Sequence, residues 1–380
     1  MGDRLLSAPA RRYDSIDVLR AGAILLMVQI HFAQNLAADL HAEGLLTYAS
    51  RALGMLPAPL FTFLAGMSLR LSLARRPADG PSAETTALRH VRRGLFLFFA
   101  GLVFATLVRM PDKVFAWDIL PFIGASLLVL FALRRVPEGA LALAAAAIVA
   151  SSPALRIASG YAAHWPGGEV YRSAFTLSDV GWGFLVNGYF PLFPWLVFPL
   201  GGFLTARVLL AGETEAARLR RALPVAGLLL VALSAVFARA GAAAQGAWLG
   251  HASPVRFYPA TTPFVLKVLG LILLAFWALH LWLDRRPGAR LPLRAFLCRQ
   301  SRFSLTTYVV HHMALLWPLA LAAHLAGRPG PGEVPASLMS TGWALALAGL
   351  FVVLFSAVLA LWDRGGGRYS FEWLLGKLAG

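Results

Sequence analysis

The sequence predicts an all-α fold: a polytopic membrane helical bundle of about ten transmembrane helices with both termini cytoplasmic. Composition is the first ground. Of 380 residues, 58% are hydrophobic and 14% charged, with a mean hydropathy of +0.68. A soluble globule carries roughly 25% charged residues, so this chain cannot clothe a water-facing surface of ordinary size. The second ground is a series of long apolar runs, and the third is the alternation of arginine-rich and arginine-poor connections between them. A single cysteine, Cys298, excludes a disulfide scaffold, and the low polarity excludes a disordered chain.

Each run is judged against the roughly 20 apolar residues needed to cross a ~30 Å hydrocarbon core. The first, 17–37, follows a polar leader with Arg4, Arg11 and Arg12. No small-residue cleavage site leads from it into a soluble domain, so it is expected to stay as a membrane helix. Runs 52–74, 93–110, 115–134 and 138–152 follow, the second and fourth of these being short. Run 183–206 contains Pro191, Pro194 and Pro199. It predicts a bent or broken helix, tolerable where a neighbour or cavity satisfies the freed backbone groups. Runs 222–240, 263–283, 303–323 and 340–362 complete the set. Residues 1–380 are expected to form one integral-membrane domain with short cytoplasmic tails.

The net charge of +16 comes from 34 Lys+Arg against 18 Asp+Glu, and all the cations except Lys113, Lys267 and Lys377 are arginines. One set of connections holds 23 of them, including Arg75, Arg76, Arg92, Arg93, Arg134, Arg135, Arg207, Arg285, Arg290, Arg299 and Arg302; the opposite set holds eight. Cytoplasmic loops carry the excess of Lys and Arg, which puts the rich set inside. In a soluble protein this balance would suggest nucleic acid, but no such motif accompanies it. Besides orienting helices, cytoplasmic arginines can hold an anionic substrate, and the two readings are compatible. The outer connections 153–182, 241–262 and 324–339 are long and rich in Gly, Pro, Trp and His, a surface for something extracytoplasmic to meet. No internal repeat is visible, unlike repeat-built transporters.

Ionisable groups inside a membrane are costly and are functional candidates by default. Run 17–37 holds three: Asp17, Arg20 and His31. The eleven steps from Arg20 to His31 turn about 1100°, close to three full turns, so Asp17, Arg20, Met27, His31 and Gln34 share one helix face. The rise sets His31 about 16 Å beyond Arg20. Asp17 and Arg20 can pair at i,i+3. The structural alternatives are a snorkelling Arg20 and a hydrogen-bonded packing histidine. An imidazole with an ordinary pKa near 6.5 accepts a proton at neutral pH, which suits a general base.

Arg20 and His31, with ten residues between them, match the signature of the acyltransferase-3 family. The surrounding sequence resembles still more its sister group, the heparan-α-glucosaminide N-acetyltransferase-like bacterial membrane proteins. The resembling segments, in order, are Ser15-Ile-Asp-Val-Leu-Arg20, Ala58-Pro-Leu-Phe-Thr-Phe-Leu-Ala-Gly66-Met-Ser68 and Trp117-Asp-Ile-Leu-Pro-Phe-Ile-Gly124. Tyr189-Phe-Pro-Leu-Phe-Pro-Trp195 with Gly201-Gly202 follows, then Ser304-Leu-Thr-Thr-Tyr308-Val-Val-His311. Human-type members carry an essential His in a Trp-Asn-Gly context that is absent here. His41 is only a positional counterpart, and Ala21 replaces the usual Gly after the first-helix Arg. The resemblance implies acetyl-CoA as co-substrate and a sugar or glycoconjugate acceptor, in a bacterial inner membrane. The expected partners are therefore an acyl-CoA donor, a glycan or glycolipid acceptor and membrane lipid, with a homodimer allowed and no nucleic acid.

The expected catalytic residues are His31, Arg20 and His311. Arg20, Arg92, Arg93, Arg299 and Arg302 are candidates for the CoA phosphates through charge-assisted bonds. His41, Asp118, Asn187, Trp195 and Tyr308 are candidates for the acceptor. Ser304, Tyr308 and His311 share a helix face, which is either an acceptor-positioning seam or polar glue between helices. No metal is expected: adjacent His311 and His312 point about 100° apart, and no HxxxH or HxxE spacing occurs. His31 either activates the acceptor for direct attack on the thioester or is itself acylated in a double displacement. The competing class is a transporter that uses the broken helix and intramembrane charges without transferring an acyl group.

Overall fold

A computed structural model describes residues 12–74, 83–109, 111–166, 170–173, 175–242, 250–286, 291–325, 327 and 338–379. Arg4, Arg11, Arg75, Arg76 and Arg290 lie outside the described residues, as does most of 324–339. The principal helices are α1 (Asp14–Leu36), α2 (Leu45–Gly54), α3 (Pro57–Ala74), α4 (Ala83–Phe104), α5 (Ile119–Ala132), α6 (Glu138–Ala158), α7 (Val197–Thr205), α8 (Glu213–Ala242), α9 (Thr262–Leu279), α10 (Arg294–Arg302), α11 (Ser304–Leu325), α12 (Thr341–Arg364) and α13 (Phe371–Ala379). Among the described residues there is no strand. The chain is an all-α polytopic membrane protein.

Among the described residues, nine segments are long and apolar enough to cross a membrane, against the ten expected from the runs. The tenth, α5, has 14 residues, roughly 21 Å at ~1.5 Å per residue. It nonetheless joins opposite ends of the bundle. Before its N-terminus, the Trp117 carbonyl accepts from Phe190 N at 2.9 Å. Beyond its C-terminus, Glu138 accepts from Arg70 Nη2 at 2.6 Å and is ion-paired with Arg207, both at the arginine-rich end.

The proline-rich run is broken as its sequence demands. From Leu177 to Leu210 it passes through a π-helical turn at Gly183–Asn187, an irregular link and several short helices. Amides freed at the break are satisfied across the bundle, Tyr189 N donating to Ala116 O at 2.9 Å. Together with α1 this stretch is the most enclosed of the spans, whereas α8 and α12 lie mostly open on the periphery. There Leu228, Leu233, Val236, Leu350, Val353 and Leu361 face outward, as lipid-facing residues should.

Close approach of α3 and α7 fixes the centre. A Cβ on Gly66 would lie 1.9 Å from Pro199 O, and one on Gly202 would lie 1.8 Å from Phe63 O. Only glycine lets these backbones touch, the small-residue packing that membrane helices use. This crossing brings Ser68, two residues past Gly66, to face α1.

Candidate active site

The half of the site at the arginine-rich end is built on Arg20. It donates from Nη1 to Ser301 Oγ at 3.0 Å and from Nη2 to Ser68 Oγ at 2.9 Å. Asp17 Oδ1 lies 3.9 Å from Nη1 and also accepts from Ser301 Oγ at 2.5 Å. The nearer cation to Asp17 is Arg12, so the expected i,i+3 pair is the weaker half of a triad. The fork of Arg20 thus ties α1 to α3 and α10. Ser15 fastens the same end of α1 to the π-helical turn His280–Asp284 that follows α9, its backbone N–H and hydroxyl both bonding Asp284.

Among the other expected phosphate ligands, Arg92 and Arg93 are exposed on α4. Arg299 and Arg302 lie on α10, the helix that supplies Ser301. Asp363 engages both, 3.8 Å from Arg299 and hydrogen-bonded by Arg302. An anion arriving there competes with a carboxylate.

About 16 Å along the unbroken α1, His31 meets α11. Its Nδ1 lies 2.9 Å from His311 Nε2, with the rings nearly parallel, 5° between planes and 5.2 Å between centroids. His311 Nδ1 is 2.8 Å from Thr307 O and His312 Nδ1 is 2.9 Å from Tyr308 O. A carbonyl only accepts, so both Nδ1 atoms carry the proton. A neutral His311 therefore presents a lone pair on Nε2 and accepts from His31 Nδ1–H. That assigns the remaining lone pair on His31 to Nε2. His311 and His312 are buried, while His31 is half-buried. Sequence spacing had set His312 aside, but its ring is 4.6 Å from that of His31 and 4.0 Å from that of His311. One nitrogen from each of the three rings lies within 4.8 Å of the others. The spacing argument against a metal considered one helix, and the third imidazole comes from another. Tyr308 packs on His312 at 4.9 Å and on Phe104 at 5.2 Å.

The remaining acceptor candidates are not drawn together. His41 is exposed beside Arg51, 3.4 Å away. Asp118 caps α5, accepting from Ile119 N at 2.7 Å. Asn187 is buried and spent on the fold: its Oδ1 accepts from Ser159 Oγ at 2.6 Å, and its carbonyl accepts from Trp165 Nε1 at 2.7 Å. Trp195 stacks among Phe190, Phe198 and Phe257. The cleft it borders with Arg156, Tyr189 and Tyr258 has no room for a water molecule. Arg156, itself buried, donates to Ala260 O. Burial pushes Tyr171 nearby up to about 12, so its phenol stays neutral.

A family model described as heparan-alpha-glucosaminide N-acetyltransferase, catalytic, matches residues 12–232, more than half of the chain. No curated protein matches the chain. The match covers Arg20, Ser68 and His31 but not His311 or His312. Membrane-crossing helices, the segments that resemble the family and the family match converge: the chain belongs to the heparan-alpha-glucosaminide N-acetyltransferase catalytic family of transmembrane acetyltransferases.

Proposed function

We propose that the protein transfers an acetyl group from cytoplasmic acetyl-CoA to a hydroxyl or amine of a sugar or glycoconjugate reached from the extracytoplasmic side. The observation that carries this reading is the His31–His311 pair, whose hydrogen bonds leave His31 Nε2 as a proton acceptor deep in the bundle. It lies on the same helix as Arg20, which stands at the arginine-rich end where a nucleotide would dock.

In the direct mechanism, His31 Nε2 takes the proton as the acceptor oxygen or nitrogen attacks the thioester carbonyl. The new O–C or N–C bond forms, the C–S bond breaks, and the imidazolium returns its proton to the departing thiolate, giving acetylated acceptor and CoA. His311 holds the ring in the tautomer this requires and stabilises the imidazolium through the Nδ1–H bond, the base–orienter arrangement of activated nucleophiles. Arg20 would grip a CoA phosphate with its planar fork, exchanging the two serine hydroxyls for charged oxygens.

The test is transfer of radiolabelled acetyl from acetyl-CoA by purified protein to a panel of amino and neutral sugars. Acetylated sugar is expected, and its absence with every acceptor, alongside intact folding, would favour the transporter reading.

A further inference from the structure

The same three imidazoles have a second chemistry. Imidazole nitrogen is a ligand for zinc-type ions, and three histidines with an open fourth position make a complete protein contribution to such a site. A ligating histidine usually donates its other ring N–H to a backbone carbonyl, which fixes the tautomer and aims the ring. His311 and His312 do this, to Thr307 O and Tyr308 O, so each presents Nε2. His31 supplies Nδ1, already 2.9 Å from His311 Nε2. Zinc–nitrogen bonds of about 2.0–2.1 Å set tetrahedral nitrogens about 3.4 Å apart. The hydrogen-bonded pair need open by only about half an ångström, and the third nitrogen is within 4.8 Å. Two of the three ligands come from adjacent positions on α11 and the third from α1, so the fold and not the sequence spacing assembles the set.

We propose that His31, His311 and His312 form a site for a divalent transition-metal ion of the zinc type, and that its occupation switches His31 off as a base. A neutral imidazole bound to a cation through Nδ1 carries its proton on Nε2. Nε2 is the atom that must hold the lone pair for base catalysis. Metal ligation and proton abstraction therefore need opposite tautomers of His31 and exclude one another. The binding claim stands on the three rings alone, while the switch rests on the base role of His31 proposed above.

The experiment uses full-length protein purified through a tag without histidine, stripped with chelator and held in nanodiscs. Zn2+ affinity is read by competition with a chromophoric chelator, and geometry by the visible absorption of Co2+. Expected are one ion per chain, a tetrahedral Co2+ spectrum, and affinity at least about 10-fold weaker in His312→Ala. The same loss is expected in His312→Asn, whose side-chain N–H takes the place of Nδ1–H and can keep the bond to Tyr308 O if the alanine variant folds poorly. Added Zn2+ should inhibit acetyl transfer, and chelator should restore it. Equal Zn2+ binding by wild type and both His312 variants, or no binding, overturns the site. Binding without inhibition, or activation, overturns the switch. The two readings fail separately: a His31→Gln protein with normal turnover defeats the base role but leaves His312-dependent Zn2+ binding standing. An inactive His31→Gln protein whose wild type binds no Zn2+ does the reverse.

Discussion

His311 touches no solvent and bonds His31, so in the proposed mechanism the two rings differ in what their removal costs. His31→Gln deletes the proton acceptor and should lower kcat by roughly 10²-fold or more, with acetyl-CoA binding retained in calorimetry. Normal turnover by a well-folded variant would remove His31 from the chemistry. His311→Ala leaves Nε2 of His31 in place but frees its tautomer, and should cost less, in kcat rather than KM. At the other end of α1, Arg20→Lys puts a point charge where a planar fork reached two partners at once. The apparent KM for acetyl-CoA should rise; a lowered melting temperature with an unchanged KM would make Arg20 a brace between α1, α3 and α10. The relation of Arg20 to His31 was legible in the sequence because a straight helix fixes rise and rotation per residue. His31–His311 was not, since 280 residues separate them and helical periodicity says nothing of which helix a face meets. The cap role of Asp118 was not read from the sequence, because the apolar run begins at 115 there and the break at Asp118 shows only in the backbone.

At the scale of elements, the helix that presents His311 and His312 is anchored by a carboxylate from outside the bundle. Glu372 of α13 accepts from Leu305 N at 2.6 Å and Thr306 N at 2.9 Å with Oε1, and from the Thr306 hydroxyl with Oε2. It thereby satisfies the open amides at the start of α11. Burial nevertheless pushes its pKa above the ordinary 4.5, outweighing these hydrogen bonds. The folded protein then holds a proton that the unfolded chain releases. The Glu372 contribution is thus fullest below about 4.5 and is lost as pH rises through the raised value. Melting temperatures in detergent across roughly pH 4 to 8 should fall with pH more steeply in wild type than in Glu372→Gln. Parallel curves would show that Glu372 titrates as it does in the unfolded chain. Sequence reading placed the element itself correctly, because Ser304–Leu325 is a long apolar run. Its cap was invisible, because capping at a distance needs the chain to return. The three prolines of run 183–206 were readable as a break, since proline removes an amide donor wherever it falls. The amides and carbonyls satisfying that break, at Ala116 and Trp117, were not.

For the whole molecule, parity puts both described ends of the chain on one side. Arg294 bonds Asp14, Arg302 bonds Asp363, and Glu372 bonds Thr306, so both described ends of the chain lie at one end of the bundle. At the other end Asp39 accepts from Thr341 and Ala38 N donates to Met339 O. An even number of passes is required, which makes the short α5 a pass despite its length. The shared end also gathers Arg207, Arg285, Arg294, Arg299 and Arg302, which belong to the arginine-rich set that the positive-inside rule predicts to be cytoplasmic. Charge alternation made the shared end of both termini legible before any contact was known, because it depends on loop composition and not on packing. On the function proposed above, acetyl-CoA and acceptor would approach His31 from opposite faces, and a reversed molecule would expose Arg20 to the wrong compartment. Single cysteines in a Cys298→Ser background test this in sealed cells. Arg286→Cys should resist a membrane-impermeant maleimide until the cells are opened, while Ala42→Cys, exposed in the connection after α1, should react at once. Outside labelling of Arg286→Cys would invert the bundle, and with it the side from which the donor must enter.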